Sequence, residues 1–190
     1  QFISTLNDTV TRRIIELNLE RHDLYGIDWA WLSFGSEGRD EQTFTTDQDN
    51  GIVFICTDIM DRELTQLRFL DFARDVNADL DRCGFPLCKG NIMASNPDLC
   101  LTLEEWEERF ARWVRMPEPQ ALLNATIFFD FRPLFGRFNL AHRLRRELFR
   151  QTRGNPLFLR MLAENALSVA PPLGRIRDFV TSTDPEHPGT

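Results

Sequence analysis

The sequence lacks both a long hydrophobic run and an excess of basic residues. It contains 22 Lys and Arg against 29 Asp and Glu, which gives a net charge of −7. General binding to a nucleic-acid backbone requires clusters of Lys and Arg, so a nucleic-acid partner is disfavoured unless a local basic patch outweighs this average. Without a membrane-spanning stretch or a signal peptide, we expect a cytoplasmic protein with no membrane partner. Because the chain opens at Gln1 without Met, we also expect a domain taken from a longer protein.

Cysteine and histidine are few and scattered. The sequence has no Cys-x-x-Cys pair, and none of its three histidines lies in a motif. Neither a zinc site nor a dithiol redox motif therefore has the ligand spacing that it needs. We expect four free, buried thiols in a reducing compartment, namely Cys56, Cys83, Cys88 and Cys100.

What the sequence does contain is a concentrated run of polar residues between Phe34 and Asn50. In it, Asp47 and Asp49 are separated by one residue and precede an apolar run at 52–56. Alternate side chains of an extended segment leave the same face, so both carboxylates would point one way. Two crowded carboxylates repel each other unless a cation lies between them, and hard oxygen ligands suit Mg²⁺ or Mn²⁺ better than zinc.

A glycine turn precedes the two carboxylates. Gly35 and Gly38 allow a tight backbone excursion, while Ser36 offers a hydroxyl and Arg39 a planar guanidinium suited to phosphate. Taken alone, a Gly-Ser pair is usually a simple turn and an Asp-x-Asp pair is usually a solvated surface feature. Their combination at this spacing predicts a site that holds a triphosphate against a metal ion.

This run resembles a known family. The pair Gly35-Ser36 followed by Asp47-x-Asp49 is similar to the signature of the DNA polymerase beta-like nucleotidyltransferase superfamily, and residues 35–41 resemble the Gly-x-x-Gly-Arg-x-Glu form of the protein-PII uridylyltransferases. Segments 46–50, 93–97 and 128–133 are similar to nucleotidyltransferases that are fused to CBS and cyclic-nucleotide-binding domains in bacterial signalling proteins. That resemblance covers nearly the whole chain.

The superfamily implies a third carboxylate on a later strand, and Asp130 is the candidate. Residues 125–132 are β-branched and aromatic and lie between Asn124 and Pro133, which predicts a strand. The resemblance then implies that Asp47, Asp49 and Asp130 are catalytic metal ligands in two-metal chemistry. The alternative is an exposed ion pair between Asp130 and Arg132.

Two basic features have open interpretations. Lys89, in the polar segment 88–97, is a candidate nucleotide-binding residue, although a structural loop is the simpler interpretation of that segment. Four arginines also recur at steps of three and four residues, namely Arg143, Arg146, Arg150 and Arg153. They form either a solvated helix face or a dock for the triphosphate or an acidic protein partner.

The periodicity predicts an α+β fold, with a short mixed sheet flanked by helices and a C-terminal helical bundle. We expect strands at 29–34 and 51–56, a helix at 62–83, a capping box formed by Thr102 and Glu105, and later helices capped by Asn139 and Asn155. The chain then divides into a nucleotidyltransferase domain at 1–136, a helical subdomain at 137–180 and a flexible tail at 181–190. The strand order follows from the resemblance alone.

The resemblance implies a Mg²⁺- or Mn²⁺-dependent enzyme that is protein-PII uridylyltransferase-like. It would move UMP or AMP from a nucleoside triphosphate to a protein acceptor in bacterial signal transduction, with Gly35, Ser36, Gly38, Arg39 and Lys89 binding the nucleotide. The alternatives are a regulatory domain that binds nucleotide without turnover and an interaction module that recognises neighbouring CBS or cyclic-nucleotide-binding domains. The sequence identifies neither the base nor the acceptor.

Overall fold

A computed structural model of the chain describes residues 2–38, 47–56 and 61–168, apart from the side chains of Phe2, Ser36, Glu37 and residues 165–168. Within these ranges four strands form one mixed sheet, with helices packed against both of its faces. This arrangement confirms the predicted α+β fold with a short mixed sheet flanked by helices.

The elements follow one another in the chain with short connections. The helices are α1 (Phe2–Leu19), α2 (Gly35–Gly38), α3 (Arg62–Arg82), α4 (Leu103–Arg115), α5 (Pro119–Phe128), α6 (Phe138–Arg153) and α7 (Pro156–Ser168). The strands are β1 (Trp29–Phe34), β2 (Asn50–Phe54), β3 (Cys100–Thr102) and β4 (Phe131–Gly136), and a 3₁₀ turn at Pro97–Leu99 precedes β3. The predicted first strand and the predicted helix at 62–83 are confirmed to within a residue.

The sheet order brings two chain segments to one end of β1. In the order β3-β2-β1-β4, strand β1 runs antiparallel to both β2 and β4, and β3 runs parallel to β2. Ser33 pairs with Asn50, and Phe34 pairs with Phe131. The residues that immediately precede β2 and β4 therefore flank the end of β1, where the chain enters α2.

One face of the sheet is covered by α1 and α3. Helix α3 presents apolar residues at helical spacing, including the buried Phe72 and Val76, to the β1 residues Trp29 and Trp31. The lost water-accessible area of these aromatic rings is the main stabilising contribution on this side. Arg132 of β4 ties the same side to α1 through a two-bond ion pair with Asp8, at 2.7 and 2.8 Å.

The other face is covered by helices α4 to α7. Thr102 and Glu105 form the predicted capping box at the start of α4, with bonds of 3.2 and 2.9 Å. Trp106 is fully buried and donates from its indole N–H to the carbonyl of Ile52 at 3.0 Å. Leu144 of α6 and Phe158 of α7 share this apolar cluster with the sheet, so the last helices pack onto the same core as β1.

Three local predictions are wrong. Residues 125–128 belong to α5 and β4 begins only at Phe131, because Pro119 starts a helix whose apolar residues pack into the core, and this packing outweighs their β-propensity. Asn139 does not cap α6, since that helix begins at Phe138 without a side-chain cap bond. The helical spacing of the apolar residues after Pro156 also predicts an inward-facing Leu159, which is instead 44% exposed. By contrast, the cap by Asn155 is confirmed by its 3.1 Å bond from the amide of Phe158.

The cysteines are free but not uniformly buried. Cys88 and Cys100 are buried, Cys56 is half-buried and Cys83 is exposed at the end of α3, so the expectation of four buried thiols is wrong for the last two. Among the described helices, none combines the length and apolar composition needed to cross a bilayer. The predicted tail at 181–190 lies outside the described residues.

Candidate active site

The two predicted carboxylates do come together, and a thiol joins them. One ligand atom from each of Asp47, Asp49 and Cys88 lies within 4.8 Å of the other two. Asp47 is exposed and Asp49 is half-buried, so the group opens to solvent on one side. Cys88, which was predicted to be a free thiol without a site, comes from the loop between α3 and β3. Within the described ranges these three side chains form the one group able to hold a metal ion.

A buried amide network fixes the segment that carries the carboxylates. Gln48 donates to the carbonyls of Asn77 at 3.0 Å and Phe85 at 2.8 Å, and Asn77 of α3 donates back to Gln48 at 2.7 Å. Asn77 also donates to Asn50 at 3.1 Å. Because buried amides left unpaired are costly, this network holds residues 48 and 50 against α3 and turns residues 47 and 49 the other way.

Backbone bonds hold the same segment from both sides. The amide of Phe34 donates to the carbonyl of Asp49 at 2.9 Å, which extends the β1–β2 pairing beyond the end of the strand. The amide of Asn50 donates to the carbonyl of Ile92 at 3.0 Å and thereby attaches the Cys88 loop. The position of Cys88 beside Asp49 therefore follows from long-range pairing.

The electrostatics of the group favour a cation. Burial raises the pKa of the Asp49 carboxyl and the charge of Asp47 adds to that rise, while a hydrogen bond from the Cys88 thiol opposes both. Burial likewise raises the pKa of the Cys88 thiol, and the neighbouring Asp49 adds to that effect. No basic side chain among the described residues contributes to the Asp49 shift. A bound divalent cation would relieve the repulsion that the described residues leave in place.

The glycine turn lies directly against this group. Gly35 opens α2 with φ +53°, and a Cβ built on it would lie 3.6 Å from the carboxylate oxygen Oδ2 of Asp49. At Gly38 the fit is tighter, because a Cβ there would lie 2.1 Å from the carbonyl oxygen of Asp130. The absent side chain of Gly38 is what lets the turn approach the chain just before β4.

Asp130 lies at the predicted end of the sheet but in a different setting from the predicted one. It precedes β4 rather than lying within a strand, and its side chain is exposed. The pairing of Phe34 with Phe131 places it opposite Gly35 across β1 from Asp49. Its carboxylate is not part of the group formed by Asp47, Asp49 and Cys88.

Comparison with known proteins supports the chemistry suggested by this geometry. The model of the family described as putative nucleotidyltransferase DUF294 matches residues 1–120, more than half of the chain. The chain belongs to this family. Neither the search of curated proteins nor the search of solved structures returns a match.

The DUF294 match contains the whole group that the structure assembles. Gly35, Asp47, Asp49, Asn77 and Cys88 all fall within residues 1–120, the part of the chain that matches the nucleotidyltransferase family. The match ends before Asp130, so the role of that residue stays a prediction.

The remaining predicted phosphate ligands are only partly described. Arg39 and the side chain of Ser36 lie outside the described residues. Lys89 is exposed in the turn that follows Cys88, and it is therefore adjacent in sequence to one of the three residues of the candidate metal site. The segment around it is a loop, in agreement with the simpler of its two interpretations.

The arginines of α6 have acidic neighbours. Arg143 reaches Glu107 of α4 at 3.5 Å, and Arg150 pairs with Glu147 on its own helix. The hydrogen bond from Arg150 lowers the pKa of Glu147 to about 2. For Arg143 and Arg150 these pairs are those of a solvated helix face, which was one of the two interpretations.

Sequence reasoning missed Cys88 and the amides Gln48, Asn50 and Asn77. A signal existed for one of them, because Asn77 interrupts the apolar face of α3 four residues after Ala73 and is 2% exposed. A polar residue on such a face is expected to have a buried partner. For Cys88 no local signal existed, since its neighbours in sequence carry no ligand pattern.

Proposed function

We propose that this domain transfers UMP or AMP from a nucleoside triphosphate to a hydroxyl group of a protein acceptor. The observation that carries the proposal is the convergence of Asp47 and Asp49 beside the Gly35 turn, in a chain of the nucleotidyltransferase family. Protein-PII uridylyltransferase-like specificity, a place in bacterial signal transduction and attachment to CBS or cyclic-nucleotide-binding domains belong to the same proposal.

The donor set fits a hard divalent cation such as Mg²⁺ or Mn²⁺. Asp47 and Asp49 offer carboxylate oxygens on one face, and burial together with mutual repulsion raises the pKa of Asp49. These two residues would hold the ion, which when bound supplies charge neutralisation for the triphosphate and activation of the incoming hydroxyl.

The residues of the chain have separate roles in this proposal. Asp47, which is exposed, reaches the substrate side, while Asp49 is oriented from behind by the thiol of Cys88. Gly35 keeps the space beside Asp49 free of a side chain. Ser36, Arg39 and Lys89 bind the triphosphate oxygens, and Asp130 lies toward the acceptor hydroxyl.

The experiment uses the purified chain, Mg²⁺ or Mn²⁺, a bacterial lysate and each of the four nucleoside triphosphates labelled at the α-phosphorus. A labelled protein band is expected with UTP or ATP and not with the same nucleotide labelled at the γ-phosphorus, because nucleotidyl transfer keeps the α-phosphate and expels pyrophosphate. The Asp47→Asn, Asp49→Asn double variant serves as the control. A wild-type chain that labels no protein with any α-labelled triphosphate contradicts the proposal.

One observation favours the regulatory alternative, in which nucleotide binds without turnover. Asp130 is exposed and is not among the three residues whose ligand atoms all lie within 4.8 Å of one another, so that close group contains two acids and a thiol rather than three acids. If Asp130 serves catalysis, Asp130→Ala binds nucleotide nearly as the wild type does and labels no acceptor. Wild-type nucleotide binding without any transfer would support the regulatory alternative.

A further inference from the structure

A cavity of about 470 Å³ lies between the Cys88 loop and helices α4 and α5. Its walls come from the loop at 90–99, from the last turns of α4 and from the outer side of α5. A volume of this size falls in the range of about 300–1,000 Å³ that is typical of small-molecule sites. None of the residues that line the cavity is Asp47, Asp49 or Cys88, so the cavity is separate from the candidate metal site.

Cys88 separates the cavity from the carboxylates of Asp47 and Asp49. Gly90 forms part of its wall, and a Cβ built on Gly90 would lie 3.7 Å from the sulfur of Cys88. That sulfur in turn lies within 4.8 Å of oxygens of Asp47 and Asp49. Ile92, a second wall residue, accepts the backbone bond from Asn50. The wall of the cavity and the group formed by Asp47, Asp49 and Cys88 are therefore neighbours in the fold.

The floor of the cavity is aromatic and apolar. Trp113 stacks on Phe128 with ring centroids 5.5 Å apart and an angle of 25° between the ring planes, and it is partly exposed. Ile127 and Leu99 complete this surface. A flat aromatic floor suits a flat aromatic ligand, because such rings pack in offset stacks over one another.

The rim of the cavity carries two side-chain amides, those of Gln120 and Asn124, which can form hydrogen bonds with a ligand. Gln120 donates to the side-chain oxygen of Asn124 at 3.1 Å. This bond uses the Gln120 nitrogen and the Asn124 oxygen, so the Asn124 amide N–H groups remain as donors and the Gln120 oxygen as an acceptor. A nucleobase edge presents donors and acceptors in the same alternation. An acyl chain or an aliphatic side chain has nothing to pair with them.

The two arginines at the rim differ in how they are held. Arg109 is occupied by Asp98 at 3.6 Å and lies over the ring of Trp106. Arg112 is exposed and forms no ion pair with any residue that the structure describes. Arg112 can therefore donate from its guanidinium group to a molecule in the cavity.

We propose that this cavity binds the base of the nucleoside triphosphate, with the aromatic floor against its face and Gln120 and Asn124 at its edge. The inference rests on the proposed function, because it takes the carboxylates as the site of the phosphates. It assigns base selection to α5, outside the glycine turn and the carboxylate pair. The other possible occupant of the cavity is the acceptor, and the experiment separates the two.

The test measures binding by calorimetry with Mg²⁺ and each nucleoside triphosphate, and with inorganic tripolyphosphate as a probe that has no base. Asn124→Leu removes the amide at the rim. Thr126→Leu, on the exposed side of the same helix, is the matched control. We expect Asn124→Leu to weaken binding of the preferred triphosphate about tenfold and to reduce the preference among the bases. Tripolyphosphate binding and the Thr126→Leu variant should be unchanged.

Two results overturn the proposal. One is a wild-type chain that binds tripolyphosphate as tightly as it binds the nucleoside triphosphates. The other is an Asn124→Leu variant that keeps both affinity and base preference, including one that loses only transfer, since that result assigns the cavity to the acceptor.

A separate measurement tests the cavity even if the proposed function fails. Chemical shifts of the Asn124 side-chain amide and the Trp113 indole N–H are followed by NMR while each free nucleoside is added without phosphate or metal. Shifts confined to these groups are expected. If no triphosphate binds while the nucleosides still shift these signals, the proposed function is wrong and the cavity assignment stands. If no nucleoside shifts them, the cavity assignment is wrong.

Discussion

The segment at 47–50 carries opposite chemistry on its two sides. Gln48 and Asn50 face α3, are each 2% exposed and have their amide groups matched by Asn77 and by backbone carbonyls. Asp47 and Asp49 face the glycine turn and have each other and the Cys88 thiol as neighbours. Hydrogen bonds on one side hold the backbone still, so that two like charges stay close on the other. Along this segment, residues that stabilise the fold (48 and 50) therefore alternate with residues that serve the proposed chemistry (47 and 49).

The largest effect is expected when the charged side is removed. In the Asp47→Asn, Asp49→Asn double variant we expect loss of Mg²⁺-dependent nucleotide binding and a fall in transfer of about a thousandfold or more, because a metal-held triphosphate contributes several kcal/mol to the transition state. Calorimetry and the labelling assay measure these losses.

The same variant should keep or gain thermal stability without metal. Replacing the carboxylates by amides removes a repulsion that no basic side chain in the described part of the chain offsets, since burial and the charge of Asp47 raise the pKa of Asp49. A well-folded double variant with wild-type Mg²⁺-nucleotide affinity would show that these carboxylates are surface acids without a metal role.

The next largest effect is expected on the buried side. Asn77→Ala leaves Gln48 without its 2.7 Å donor, and Asn50 loses the 3.1 Å bond as well. An unsatisfied buried amide costs about 1–3 kcal/mol, so we expect the free energy of unfolding to fall by about 2–3 kcal/mol in urea titrations.

Arg74→Ala on the same helix is the matched control. Arg74 is 67% exposed and pairs with Asp71, and loss of such a pair changes stability by less than about 1 kcal/mol. Equal losses in Asn77→Ala and Arg74→Ala would mean that the amide network does not hold the segment.

The contrast between the two sides also explains what the sequence could predict. Asp47 and Asp49 were found because an acid pair with one residue between its members has a known chemistry and sits next to a glycine turn. The partners of Gln48 lie 29 and 37 residues away, so only the folded chain shows why residue 48 is buried.

Asp130 was predicted to lie within a strand, and this prediction was wrong because contacts distant in sequence decide the local structure here too. Residues 125–128 have high β-propensity, but they form the end of α5 because its apolar side chains pack against α4 and the sheet. Local propensity is a weak guide where tertiary packing decides. That Asp130 would lie at the same end of the sheet as Asp47 and Asp49 was implied by the family resemblance alone.

A smaller effect is expected at Cys88, which lies on the charged side without carrying charge. Its thiol donates to Asp49 and orients that carboxylate. Cys88→Ala should weaken Mg²⁺-dependent nucleotide binding about tenfold, the lower end of the range for residues that position metal ligands. Cys88→Ser keeps a donor and should recover most of this loss. If Ser and Ala variants lose the same affinity, the thiol only fills space.

The smallest effect is expected at Glu105, an acid that pairs with Arg62 and so contrasts with Asp47 and Asp49. Burial acts to raise the pKa of Glu105, but its bonds to Arg62 and Thr102 outweigh burial and lower the pKa. An acid with a lowered folded-state pKa stabilises the fold above its unfolded value of about 4.3 and loses this contribution as the pH falls through the folded value. Glu105→Gln keeps the capping geometry and removes only the charge.

We therefore expect Glu105→Gln to be less stable than the wild type at pH 7. The difference should be at most about 1 kcal/mol, because the pair is partly exposed, and it should close below about pH 4. Thermal unfolding of both proteins across this range measures it, with Glu108→Gln, an exposed site on the same helix, as the control. A gap that widens in acid would reverse the sign assigned to Glu105, and the contrast between paired and unpaired acids would no longer hold.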